Sequence, residues 1–226
     1  MTSLFLKLIQ PVPLRHPFEI NRDLSDIKSG GLKYNLLMLI YTQLQKYQEI
    51  IFPKDGISKF LGELKGLHLK SIALSAKQEA IEEEIKSLLR NKGIPMVAIK
   101  GNEIAKDIYN DPNCRTSSDV DMLVKRSHTF KVHEILLNAG YRPHVSLPLG
   151  YCFNYHVHHA VYYHPGTDIP VEMHWRFGVP YFFNLSSEEI WDDVTFLDSG
   201  KAILSPEMTI IMLLIHHHSH SCRGPA

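Results

Sequence analysis

Apolar residues recur at helical spacing over roughly the first ninety positions, then give way to short alternating or continuous apolar runs. From Leu32 to Ile51 the run LKYNLLMLIYTQLQKYQEII reads as a helix that stops before Pro53. A second helix is predicted from Ile57 to about Leu67, and a third from about Leu69 to Asn91. In the third, Ile72, Ala76, Ala80, Ile81, Ile85, Leu88 and Leu89 form one apolar face. The run Glu82-Glu83-Glu84 falls on its solvated side, and Gly93 is placed to cap its C-terminus. Ahead of these helices, Pro11, Pro13, Pro17 and Gly30-Gly31 read as an extended arm ending in a break.

After Gly93 the pattern shortens. Ile94 to Ile99 suits a buried strand, Asn102 to Tyr109 a short helix, and Asp111-Pro112-Asn113 a loop. Val120-Asp121-Met122-Leu123-Val124 reads as a strand with alternating faces. Ser127 is placed to cap a helix from about His128 to Ala139, closed by Gly140. Tyr141–Val145, Tyr155–Tyr163 and Ile169–Trp175 read as further strands, the last two joined by a turn at Gly166-Thr167-Asp168. Ser186-Ser-Glu-Glu has capping-box character, and Pro206 opens a final apolar helix from Glu207 to His220. The fold class is α+β. Its predicted divisions are a mainly helical segment over 1–92, a mixed-sheet core over 93–200, and over 201–226 the start of a further helical segment cut short.

Composition narrows the classes. An apolar fraction of 44% and a charged fraction of 21% over 226 residues are those of an ordinary globular chain able to bury a core. The 24 basic and 24 acidic residues cancel, which argues against an extensive surface for duplex nucleic acid. The three cysteines, Cys114, Cys152 and Cys222, have no disulfide-framework or CxxC spacing, so a reducing cytoplasm is the expectation. No apolar run approaches the roughly 18 residues of a membrane helix, and the start lacks the marks of a signal peptide.

The chemistry concentrates between Lys100 and Val124. Asp119 and Asp121 stand two apart, so on a strand both point to one face while Val120 faces the core. Two carboxylates held that close call for a positive charge between them, and hard oxygen donors suit Mg2+ or Mn2+. Lys100 and Gly101 fall where a strand ends and a helix begins, a place where backbone N–H groups receive phosphate. Arg115 lies in the loop before the acidic strand, where a guanidinium can hold phosphate oxygens or pair with Asp119. A third carboxylate, Glu172, lies on the strand Val171-Glu-Met-His-Trp175, and His174 shares its face. If that strand lies beside the first acidic one, the three carboxylates converge.

Lys100-Gly101, Tyr109, Arg115, Asp119, Asp121, Ala139-Gly140-Tyr141 and Glu172-x-His174-Trp175, in this order and spacing, resemble the uncharacterised nucleotidyltransferase family of the polymerase-beta-like superfamily. The resemblance covers about residues 75–220. It implies a small mixed sheet with flanking helices, and transfer of a nucleoside monophosphate from a nucleoside triphosphate to an acceptor hydroxyl with release of pyrophosphate. It implies two divalent ions, Mg2+ or Mn2+, on Asp119, Asp121 and Glu172. It also implies a nucleotide held by Lys100, Gly101, Asn102, Arg115, Ser118 and His174. Asn102 stands where the superfamily often has a triphosphate-binding serine. The acceptor is open between a small molecule, a peptide or protein side chain, and an RNA end. The alternative is a catalytically inactive member that binds nucleotide or a partner through the same fold.

Plainer readings compete at several positions. The 14 histidines suggest zinc, but there is no HExxH and no cysteine at finger spacing, so they read as structural or surface residues. On a strand His156 and His158 share a face with His159 opposite, and His216 and His220 are four apart on the last helix. His174 is either a nucleotide or acceptor contact or a buried, hydrogen-bonded histidine. Lys100 can be read as an exposed strand end, Trp175 and Trp191 as core, and Tyr181-Phe182-Phe183 as packing.

Overall fold

A computed structural model describes residues 37–46, 57–114, 117–144, 157–178, 185–198 and 201–221. The predicted N-terminal arm, Arg115, His156 and the aromatic run at 181–183 lie outside these residues. The chain forms two compact units, Met1–Glu79 with Gly101–Ser117, and Ala80–Lys100 with Ser118–Ala226.

In the first unit, α1 (Leu37–Lys46) buries Leu37 to Tyr41 and Leu44. The long helix α2 runs unbroken from Ile57 to Arg90 where two helices were predicted. Gly62 and Gly66 cost about 1 kcal/mol each relative to alanine but do not stop a helix as proline does. Two side-chain amides tie α2 to the segment after Gly101: in one, Gln78 Nε2 donates to the Ser117 carbonyl at 3.0 Å. In the other, the Asn102 amide donates to the Ser75 carbonyl at 3.1 Å. Asn102–Tyr109 forms α3, and a 3-10 turn at Pro112–Cys114 follows, where a plain loop was expected.

The predicted apolar face of the third helix is only partly the buried one. Ile72, Ala76 and Ala80 are exposed, while Ser71, Ser75, Gln78, Glu82, Ile85 and Leu89 are buried. Those buried positions recur every three or four residues, so geometry selects them although several are polar. Glu82 therefore leaves the solvated side assigned to it and pairs with Lys86, while Glu83 and Glu84 stay exposed. The helix ends as Gly93 requires. Gly93 takes φ 67°, its N–H donates to the Arg90 carbonyl, and the Ile94 N–H reaches back to Leu89. This is a Schellman closure, in which glycine supplies the left-handed residue.

The second unit carries a five-stranded mixed sheet. Its strands are β1 (Met96–Ala98), β2 (Val120–Val124), β3 (Arg142–Pro143), β4 (His159–Tyr163) and β5 (Pro170–His174), in the order β1-β2-β5-β4-β3. Only the central β2–β5 pair is parallel. β2 lies between β1 and β5 and is buried at all five positions, so both its faces are covered and not one as its alternation suggested. The helix α4 (Thr129–Asn138) is preceded by a 3-10 turn at Arg126–His128, so Ser127 lies inside that turn and does not cap the helix. Ser186 does cap α5 (Ser187–Asp192) in a reciprocal capping box with Glu189. A small ladder, β6 (Thr195–Phe196) with β7 (Ala202–Ile203), was not predicted; each strand is too short to show a period. The final helix α6 spans Pro206–Ser221. Among the described residues no helix is long and apolar enough to cross a membrane.

Candidate active site

The parallel pairing of β2 with β5 sets Asp121 opposite Glu172 and Leu123 opposite His174. Partners in register point to one face of the sheet, so a carboxylate from each strand stands on the same side. The antiparallel pairing of β5 with β4 then brings His159 opposite His174. A cluster of ionisable side chains is thus assembled by backbone register alone.

Asp121 is its buried centre. One carboxylate oxygen, Oδ1, lies 2.7 Å from Lys100 Nζ and 2.9 Å from His174 Nε2. His174 Nε2 also lies 3.2 Å from Glu172 Oε2. Lys100, just after β1, is buried and not an exposed strand end, and its Nζ lies 3.2 Å from His216 Nδ1 on α6. One donor atom each from Asp121, Glu172 and His174 falls within 4.8 Å of the others, and so does one ring nitrogen each from His158, His159 and His174.

Electrostatics follow from this arrangement. Burial pushes the Asp121 carboxyl up, but the His174 hydrogen bond and charge and the Lys100 ammonium outweigh it and hold the group well below the usual range. Glu172 is also held low: burial raises it, and the His174 hydrogen bond with the charges of His159 and His174 more than offset this. Burial lowers His174, yet the bonds to Asp121 and Glu172 win and raise it. His159 goes the other way, down to about 4, through burial and the neighbouring His174. At neutral pH His159 is therefore uncharged, and its 4.0 Å approach to Glu172 is not an ion pair.

The remaining predicted site residues have different surroundings. Asp119 is half-buried one residue before β2, and of the three expected carboxylates Asp121 and Glu172 stand in one donor group. Ser118 is exposed beside it. In the first unit, Gly101 has φ 72° and ψ −132° at the start of α3, a conformation that strains any residue with a Cβ. The side-chain amide of Asn102 is engaged with Ser75, as above.

Sequence reasoning read His158, His159 and His216 as structural or surface residues. His158 precedes β4, so strand alternation does not set it opposite His159, and their rings lie 4.4 Å apart. The signal for His159 is its register with His174, which only the pairing of β4 with β5 reveals. His174 is both buried and hydrogen-bonded, and it sits between the two carboxylates. Trp175 and Trp191 are core residues.

No curated protein and no solved structure matches the chain. A family model described as "Uncharacterised nucleotidyltransferase" matches residues 35–225, and the chain belongs to that family.

Proposed function

We propose, from this membership and from the register pairing of Asp121 with Glu172, that the chain is a metal-dependent nucleotidyltransferase. In this reading it moves a nucleoside monophosphate from a nucleoside triphosphate to an acceptor hydroxyl and releases pyrophosphate. The donor set fits a hard dication. Two carboxylates on one sheet face, Asp121 and Glu172, draw positive charge of the kind a hard dication supplies. Asp121 and Glu172, joined by Asp119, would hold Mg2+ or Mn2+. Bound there, the ions supply charge that neutralises the triphosphate and acidifies the acceptor hydroxyl.

The chain's own groups do the rest. Glu172, half-buried and ionised at neutral pH, takes the acceptor proton directly or through water. Lys100 exchanges part of its contact with Asp121 for phosphate oxygens. His174 holds Asp121 and Glu172 in one orientation through a single ring nitrogen. For Gly101, Asn102, Arg115 and Ser118 the triphosphate role rests on the sequence resemblance.

One observation favours the inactive alternative. Asp121 Oδ1 already accepts from both Lys100 and His174, which balances its charge without an ion.

The test is incubation with each α-labelled nucleoside triphosphate and Mg2+, beside Asp119→Asn/Asp121→Asn. Label transferred by the wild type and lost in the variant is the expected result. Metal-dependent nucleotide binding without transfer to any acceptor supports the inactive reading. Transfer that survives in the variant overturns the assignment of the acidic strand.

A further inference from the structure

The three imidazoles of the second donor group have a property the carboxylate site does not use. His159 and His174 are cross-strand partners, with ring centroids 5.0 Å apart. His158 stands just before β4, its ring 4.4 Å from that of His159 and 6.0 Å from that of His174. Its carbonyl accepts from the Trp175 N–H at 3.0 Å, which ties it to the end of β5.

Nδ1 of both His159 and His174 is buried with no hydrogen-bond partner among the described residues. An unpaired buried nitrogen is costly, and two in one cluster call for a physical reason. The opposite ring nitrogens face carboxylates. His174 Nε2 contacts Asp121 and Glu172, and His159 Nε2 lies 4.0 Å from Glu172 Oε1. A histidine that ligates a metal through one nitrogen commonly donates from the other to a carboxylate, which fixes its tautomer and its aim. Three neutral nitrogens suit a borderline dication such as Zn2+ or Co2+, whereas Mg2+ prefers oxygen.

We propose that His158, His159 and His174 bind one borderline transition-metal dication through ring nitrogens, at a site beside the Asp121–Glu172 carboxylates and distinct from them in metal preference. Any proton on a coordinating nitrogen leaves to solvent as the metal–nitrogen bond forms. No electron transfer is involved. The ion adds positive charge beside Glu172 and fixes the start of β4 against the end of β5. This inference does not depend on nucleotide transfer.

The test uses the full chain, stripped of metal by a chelator and then titrated with Co2+ and Zn2+. The expected result is one equivalent of Co2+ with visible d–d absorption, displaced by Zn2+ and not by excess Mg2+. His158→Gln/His159→Gln should weaken Zn2+ binding at least tenfold, roughly the scale of a lost site partner. His217→Gln/His218→Gln on α6 should leave it unchanged. X-ray absorption on the zinc-loaded wild type needs no variant, and should read three imidazole nitrogens at about 2.0–2.1 Å. Absent cobalt bands, carboxylate-only ligation, or affinity unmoved by the His158/His159 double variant but lowered by the His217/His218 variant overturns the proposal.

Discussion

Two ion pairs of the second unit use similar chemistry in opposite surroundings. Lys100 and Asp121 meet with side chains 4% and 3% exposed, whereas Arg142 and Asp168 meet with side chains 64% and 75% exposed. The exposed pair joins the short edge strand β3 to the turn before β5, and water solvates both partners whether or not they touch. The buried pair has lost that solvation and is held by other groups: His174 on Asp121, and His216 on Lys100. Taking charges out of water costs several kcal/mol per ion, so a buried pair persists only with further partners. Burial thus marks where the fold carries a cost that stability alone does not explain, and the marked place is the acidic centre assigned to nucleotide transfer.

The largest contrast should appear in activity. Asp121→Asn keeps the shape of the side chain and removes its charge. In the label-transfer assay it should lower turnover at least roughly 1,000-fold, because several kcal/mol of charge stabilisation depend on that group. Asp168→Asn should leave turnover unchanged. An Asp121→Asn protein that folds and keeps wild-type turnover removes Asp121 from the chemistry.

Stability comes next. Lys100→Met leaves the buried Asp121 without its ammonium partner and should cost about 3–5 kcal/mol, read from urea unfolding. Lys100→Met/Asp121→Leu should recover much of that loss, since apolar groups of similar volume can replace a buried pair. If the double variant is no more stable than the single, the pair itself is not what Lys100→Met breaks.

What the sequence made legible in this region was local. The ends of β2, the helix α3, the capping box at Ser186 and the closing glycine at Gly93 each follow from residues within a few positions. The acidic centre was legible only in part. The spacing of Asp121, Glu172 and His174 could be read, but their meeting depends on a parallel pairing between segments about fifty residues apart. His159 was read as structural or surface for the same reason, since only the β4–β5 pairing sets it opposite His174. Asp119, aligned with Asp121 by the two-residue period, stands one residue before β2, which begins at Val120. The buried Glu82 was missed because helix geometry, not polarity, selects which positions of α2 face inward, and the unbroken α2 because its glycines weaken a helix without stopping it.

A smaller contrast lies in the pH dependence of stability, measured with a chelator present. His174 is faced by Asp121 from β2, Glu172 from its own strand, His159 and His158 beside it, and Lys100 near β1. Its raised value means its contribution is complete below the ordinary 6.5 and is lost as pH rises through the folded value. His159, lowered to about 4, contributes fully above 6.5 and loses that contribution as pH falls toward 4. Asp121 and Glu172, both lowered, contribute above the ordinary carboxylate range and lose this as pH falls through their folded values. The cluster's contribution should therefore peak near pH 6.5, and His174→Gln should remove the alkaline fall. An alkaline fall that persists in His174→Gln belongs to some other group.

The smallest effect belongs to the exposed pair, and the choice of variant matters. Asp168 has φ 54°, so replacing it with alanine would mix backbone strain with the lost charge. Arg142→Ala avoids this, because Arg142 lies in extended β3. It should change unfolding free energy by no more than about 1 kcal/mol, and the change should shrink further at high salt, which screens exposed charges. Lys100→Met should show little salt dependence, since ions do not reach its pair. If Arg142→Ala cost as much as Lys100→Met, burial would not be what separates the two pairs, and the case for a charge-strained centre at Asp121 would lose its control.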